Sequence, residues 1–221
     1  MSNDSTYHRR HLPHYYLPNA VYFVTFCLAG SLPRVRVLEL TGERRDVERK
    51  QKGEPDRSLP KSIPTKGFDR DLEWLDRVLH GASKSVRWLS DPRVAEIVSQ
   101  ALKTRDAKEY ELVAYTIMPN HVHVVFGIGE HGLFEHVTQI DDLSYKPLSK
   151  IVGSLKRQTA KESNRILGRK GAFWQDETYD RVVRDAKELE MIVRYVLNNP
   201  VKAGIVKEWR EWKWTYSRFE L

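Results

Sequence analysis

ELVAYTIMPNHVHVVFGI, residues 111–128, reads as two strands and the turn between them. Glu111–Met118 is rich in β-branched and aromatic residues, Pro119-Asn120 supplies the turn, and His121–Ile128 alternates as a second strand. A hairpin here commits the surrounding domain to an antiparallel sheet. Towards the N-terminus, Asp91-Pro92 pairs an N-cap with proline at the first helical position. Val94, Ile97, Val98, Ala101 and Leu102 then recur at helical spacing, which predicts a helix over about 92–105. Further back, Ala20–Leu28 (AVYFVTFCL) has the composition of a buried strand and ends before Gly30 and Pro33. Towards the C-terminus, Leu148, Ile151, Val152 and Leu155 mark one face of a helix over about 146–166, and Phe173–Val183 reads as extended. Leu189, Ile192, Val193, Val196 and Leu197 mark a last helix, expected to stop at Asn199-Pro200. The order strand, helix, hairpin, helix, extended segment, helix predicts an α+β domain with a mostly antiparallel sheet and helices on one face.

Length and composition bound what surrounds this frame. The 221 residues suit one domain with appendages. A hydrophobic content of 40% against 30% charged residues, with a mean hydropathy of −0.58, fits a water-soluble protein. No run reaches the ~18 apolar residues of a membrane span. Met1–Arg10 is polar and lacks the apolar core of a secretory signal, so an intracellular, cytoplasmic setting is expected. The single cysteine, Cys27, excludes an internal disulfide or a Cys-pair zinc site and reads as a core residue. Residues 1–19 read as a basic and aromatic arm, residues 20–216 as the domain, and residues 217–221 as a tail. Within the domain, residues 36–85 read as a charged, proline-rich insertion: 11 of the 15 residues from Glu43 to Arg57 are charged, and Pro55, Pro60 and Pro64 follow. Leu72, Leu75, Val78 and Leu79 suggest a short amphipathic helix there.

The net charge of +7 is unevenly placed. Residues 1–143 hold 20 Lys and Arg against 20 Asp and Glu, whereas residues 144–221 hold 17 against 10. The whole excess therefore lies in the last third, whose natural partner is a polyanion; a merely solvated basic surface is the competing reading.

Two groupings could carry chemistry. On a strand, His121 and His123 project from the same face with backbones about 7 Å apart, close enough to share one metal ion. A pair of exposed histidines on a solvated face has the same pattern. On the last helix, Tyr195 falls about 120° from the centre of the apolar stripe and shares a face with Asn199, one turn on. A half-buried packing tyrosine and an Asn-Pro helix terminator would look alike.

The segments MPNHVHVVF (118–126), FWQDETYDRVVRD (173–185) and YVLNNPVKAGIV (195–206), with RRHLPHYYLPNAVYFVTFCLAGSLPR (9–34), resemble the REP-associated tyrosine transposases, the single-tyrosine, IS200-like branch of the HUH nucleases. The resemblance covers about 20–34 and 91–216 in order. It implies a ferredoxin-like split βαβ core carrying the His-hydrophobic-His strand, with His121, His123 and Asn199 as ligands of Mg²⁺ or Mn²⁺ and Tyr195 as nucleophile. The implied activity is cleavage and strand transfer of single-stranded DNA at hairpin-forming repeats, through a 5′-phosphotyrosine. Relatives often have histidine where this chain has Arg181, and Tyr179 is a second, lower-ranked nucleophile. Arg9, Arg10, Lys150, Lys156, Arg157, Lys161, Arg181 and Arg184 are candidates for phosphates, and Tyr15, Tyr16 and Trp174 for base stacking. Trp209, Trp212 and Trp214 are expected to pack a C-terminal segment onto the domain. Relatives occur as dimers and as monomers, so a homodimer is admitted. The competing function is a non-catalytic module that grips hairpin DNA or RNA. A histidine-triad hydrolase is set aside because residue 125 is valine.

Overall fold

In a computed structural model of the chain, residues 6–9 and 13–16 are described by their backbone, and residues 19–31, 79, 86–129 and 148–220 in full apart from the Glu177 side chain. The chain divides into two units, Met1–Ala29 with Val86–Leu221, and Gly30–Ser85. In the second unit only Gly30, Ser31 and Leu79 are described, Leu79 being helical and buried. The rest of the expected charged insertion, 36–85, lies outside the described residues.

The first unit opens with a hairpin of β1 (Thr6–Arg9) and β2 (Pro13–Tyr16), in which Tyr7 faces Tyr15 and His8 faces His14. A five-stranded sheet follows, built from β3 (Ala20–Leu28), β4 (Glu111–Ile117), β5 (His121–Ile128), β6 (Trp174–Val183) and β7 (Thr215–Ser217). Its order is β6-β3-β5-β4-β7 and every pairing is antiparallel. Helix α1 (Pro92–Lys103) joins β3 to β4, and α2 (Leu148–Ile166) lies between β5 and β6. With β5 inserted between β3 and β4, the first four strands form the ferredoxin-like split βαβ arrangement.

Local chemistry explains the elements. Asp91 Oδ1 accepts from Arg93 N at 2.9 Å and Pro92 occupies the first turn, a cap worth about 1 kcal/mol. On β3, Tyr22, Val24, Phe26 and Leu28 point to one face and join Val122, Val124 and Phe126 of β5 in a core closed by Val94, Val98 and Leu102 of α1 and Ile151 and Leu155 of α2. On β4 the register shifts between Leu112 and Ala114, so Leu112, Tyr115 and Ile117 all face that core despite their odd spacing.

Two expectations need correction. Helices cover both faces of the sheet, not one. The pair α1 and α2 packs on the face just described, whereas α3 (Ala186–Lys202) lies over β4, β5 and β7 on the other, where Tyr195 meets Phe23 and His123. An amphipathic stripe says that a helix buries one side, not which face of a sheet receives it. Nor does α3 stop at Asn199-Pro200. It continues through Pro200 and ends where Gly204, at φ 68°, closes a Schellman motif: Ile205 N donates to Pro200 O and Gly204 N to Val201 O, both at 2.9 Å. Ser217 and Arg218, at the start of the expected tail, are tied to the domain. Ser217 ends β7, and the Arg218 guanidinium reaches both Asp106 carboxylate oxygens, at 2.9 and 3.0 Å, and Leu112 O at 2.7 Å. Just upstream, Trp212 Nε1 donates to Ile117 O at 3.0 Å and Trp214 is buried, which fixes the C-terminal segment to β4. Among the described residues no helix is long and apolar enough to cross a membrane.

Candidate active site

The face of the sheet turned towards α3 carries a row of polar side chains. The registers align Tyr179 of β6, Thr25 of β3, His123 of β5, Thr116 of β4 and Thr215 of β7 across all five strands. Cys27 of β3 faces His121 in the next row but one. Burial pushes the Cys27 thiol up to about 12, although the Lys156 charge opposes this, so Cys27 is an inert packing group.

Both histidines are fully buried at 0% exposure, which removes the reading of a solvated pair. Their outer nitrogens are held from behind: His121 Nδ1 lies 2.7 Å from Asn120 Oδ1, and His123 Nδ1 lies 2.7 Å from Thr25 Oγ1. Their Nε2 atoms converge to 3.1 Å. Two nitrogens bound about 2.1 Å from one cation at right angles are about 3 Å apart, so the spacing fits adjacent positions on a divalent ion. Among the described residues no group of three or more His, Cys, Asp and Glu side chains converges.

Helix α3 brings the remaining candidates to the same face. It starts at Asp185, whose side chain accepts from Glu188 N at 2.8 Å, and buries Ile192, Val193, Val196 and Leu197. Tyr195 is half-buried on the flank of that stripe. Its ring stands edge-on to Phe23 at 6.0 Å and to His123 at 5.4 Å, and Lys202 Nζ lies 4.9 Å from its centroid. Asn199, one turn on, is fully buried inside the helix rather than at its end. Tyr179 also borders Phe23, with ring centroids 6.1 Å apart, but its ring is nine-tenths buried.

The expected nucleic-acid contacts separate by environment. Lys150, Arg157 and Lys161 are exposed on α2. Lys156 is engaged elsewhere: its ammonium donates to the carbonyls of Gln175 and Asp176 and to Thr178 Oγ1, pinning β6 to α2. Arg181, only 8% exposed, and Arg184, 32% exposed, share the buried Glu188 carboxylate at 2.6 and 2.8 Å. Burial opposes ionisation of Glu188, yet hydrogen bonds from Arg184 and Arg181 outweigh it and hold the carboxyl below the usual glutamate range. Trp174 is not available for base stacking. It is 5% exposed, stands edge-on to Phe26 at 4.8 Å, and donates from Nε1 to Thr159 Oγ1 at 2.9 Å. Arg9, Tyr15 and Tyr16 lie on the β1–β2 hairpin, and Arg10 lies outside the described residues.

Sequence reasoning missed four residues at this site. Thr25 is the only hydroxyl in AVYFVTFCL without an aromatic ring, and Asn120 directly precedes His121, so both carried a faint signal. Lys202 follows Tyr195 by seven residues, two helical turns, and was within reach of helical phasing. Phe23 was legible only as core.

Comparison with known proteins gives the site its setting. A REP-associated tyrosine transposase relative of Haemophilus influenzae is 29% identical over 147 residues, covering 64% of this chain and 76% of its own. The REP-associated tyrosine transposase of Escherichia coli is 26% identical over 111 residues, 50% of this chain and 56% of its own. A solved structure of a REP-associated tyrosine transposase bound to a REP hairpin superposes with a TM-score of 0.47 at 18% identity, covering 94% of this chain and 80% of the other. The family model described as "Transposase IS200 like" matches residues 84–199, a stretch that takes in both histidines, Tyr195 and Asn199. As that match spans more than half of the 221 residues, the chain belongs to the IS200-like transposase family.

Proposed function

We propose that this protein is a metal-dependent transposase that cleaves and rejoins single-stranded DNA beside a hairpin-forming repeat, with Tyr195 as nucleophile. The observation that carries the reading is the convergence of two buried imidazole Nε2 atoms, 3.1 Å apart, next to a half-buried tyrosine ring 5.4 Å from His123. His121 and His123, with the Asn199 carboxamide oxygen, would hold Mg²⁺ or Mn²⁺. When bound, the cation would neutralise charge on a non-bridging oxygen of the scissile phosphate.

The remaining steps belong to the chain's own groups. Tyr195 Oη attacks phosphorus, the phenolic proton leaves, and the bond to the 3′ oxygen breaks; that oxygen takes up a proton as a free 3′-hydroxyl. The product is a 5′-phosphotyrosine. A phenol with an ordinary pKa near 10 needs positive charge close by to react at neutral pH, and Lys202 Nζ lies beside the ring. Because the phosphotyrosine preserves one phosphoester bond for another, a 3′-hydroxyl attacking it restores a phosphodiester and frees Tyr195 without ATP. Exposed Lys150, Arg157 and Lys161 on α2, with the N-terminal hairpin, are the groups proposed to hold the strand. A substrate of this kind sets the protein's work in the cell interior.

The test is detection of a covalent protein–DNA adduct on a denaturing gel, using hairpin oligonucleotides from the flanking genomic repeats, with and without Mn²⁺. An adduct that needs Mn²⁺ and vanishes in Tyr195→Phe is the expected result. An adduct of undiminished yield in Tyr195→Phe would remove Tyr195 from the mechanism. Tight hairpin binding without any adduct would leave a binding module instead.

A further inference from the structure

Behind the paired histidines lie two polar contacts that the apolar pattern of the strands does not require. Thr25 stands across from His123 in the β3–β5 register, with Oγ1 2.7 Å from Nδ1. Asn120 closes the turn into β5, with Oδ1 2.7 Å from His121 Nδ1. A carboxamide oxygen accepts from an imidazole N–H, and a threonine hydroxyl can do the same, so each Nδ1 has a partner that holds its ring with Nε2 turned towards the other ring, 3.1 Å away.

We infer that Thr25 is a positioning residue that holds the His123 ring with its Nε2 directed at a divalent cation. The inference rests on the reading of His121 and His123 as the cation's ligands. To coordinate through Nε2, a neutral His123 carries its proton on Nδ1, and that N–H donates to Thr25 Oγ1, which a methyl group in the same place could not accept. Thr25 is 2% exposed and fixed in the central part of β3, so the support is held rigidly behind the ring.

The experiment uses the full chain without DNA. Mn²⁺ affinity is measured from the free-ion electron paramagnetic resonance signal for wild type, Thr25→Val, Thr25→Ser and His123→Ala. The imidazole tautomers of the wild type are read by ¹⁵N NMR at saturating Mg²⁺. Thr25→Val keeps the shape of the side chain and should weaken Mn²⁺ binding about 10- to 100-fold, the usual effect of losing such a support. Thr25→Ser should restore binding to within about twofold of wild type. With Mg²⁺ bound, both rings should carry their proton on Nδ1. Wild-type affinity in Thr25→Val, with binding lost in His123→Ala, overturns the role of Thr25 and leaves the ligand reading standing. Equal binding by wild type and His123→Ala overturns the ligand reading and this inference with it. A His123 protonated on Nε2 at saturating Mg²⁺ overturns, without any variant, the ligand reading and this inference with it, so the test survives a Thr25→Val chain that does not fold.

Discussion

Tyr195 stands edge-on to His123, with ring centroids 5.4 Å apart and planes inclined at 63°, while Lys202 Nζ lies 4.9 Å from the centroid of the same tyrosine ring. One ring is thus bracketed by a candidate metal ligand and a cation. Positive charge beside the ring stabilises negative charge that builds up there during attack on a phosphate. Lys202→Gln is expected to slow single-turnover cleavage two- to fivefold, matching the about 0.5–1 kcal/mol of an exposed cation–π contact. DNA affinity should change by less than about twofold, and Lys202→Arg should recover most of the rate. Identical single-turnover rates for Lys202→Gln and wild type would remove Lys202 from the chemistry.

Glu188 anchors the start of α3 through two arginines, Arg181 at 2.6 Å and Arg184 at 2.8 Å. Its carboxyl titrates below the ordinary value of 4.5, so its contribution to stability is fully present above that pH and is lost as the pH falls through the folded-state value. The wild type's stability to urea should therefore fall as the pH drops below 4.5. Glu188→Gln leaves the buried Arg181 guanidinium without its counter-charge and should cost about 3 kcal/mol at pH 7. Its stability should also fall less steeply with acid than that of the wild type. Parallel curves for the two proteins would show that this carboxylate is not linked to folding.

The end of α3 separates what local sequence conveys from what it does not. Proline is a local signal, and Asn199-Pro200 reads as a stop. The structure instead ends the helix at Gly204, whose φ of 68° suits a residue without Cβ, and a proline near a helix end forfeits only one hydrogen bond. Gly204→Ala should destabilise the protein by about 1 kcal/mol, since the space around it is open and only the backbone conformation objects. Pro200→Ala should change stability by less than about 1 kcal/mol, with the far-ultraviolet circular dichroism unchanged. A large loss of helix in Pro200→Ala would make Pro200, not Gly204, the terminator.

The same distinction runs through the rest of the molecule. Strand β3, the β4–β5 hairpin and α1 were legible because composition, alternation and the Asp91-Pro92 cap are read within a few residues. The pairing of Tyr195 with Asn199 on one helical face was legible for the same reason. The face of the sheet that receives α3 was not, because it depends on tertiary packing. The burial of Trp174 was not legible, because the contacts of its ring with Phe26 and Thr159 follow from tertiary packing. Thr25 behind His123 was beyond reach of sequence alone, since only strand register puts residues 98 positions apart in contact.

Helix α2 presents Lys150, Arg157, Lys161 and Arg165 to solvent, while Ile151, Val152 and Leu155 face the core shared with α1. This basic surface is therefore on the opposite side of the sheet from His123 and Tyr195. If α2 holds the bound strand or its hairpin, the DNA must extend round the sheet, and binding must be separable from chemistry. Arg157→Ala and Lys161→Ala should each weaken oligonucleotide binding, and each should lower the slope of log affinity against log salt by about 0.7, the value for one phosphate contact on a single strand. Cleavage at saturating DNA should stay at the wild-type rate. Lys156→Ala should behave differently, because its ammonium is bound to β6 carbonyls: the melting temperature should fall and the salt slope should hold. Fluorescence anisotropy titrations at several salt concentrations measure the slopes. Unchanged slopes in both Arg157→Ala and Lys161→Ala would take the α2 surface off the DNA path and leave the N-terminal hairpin to supply the grip.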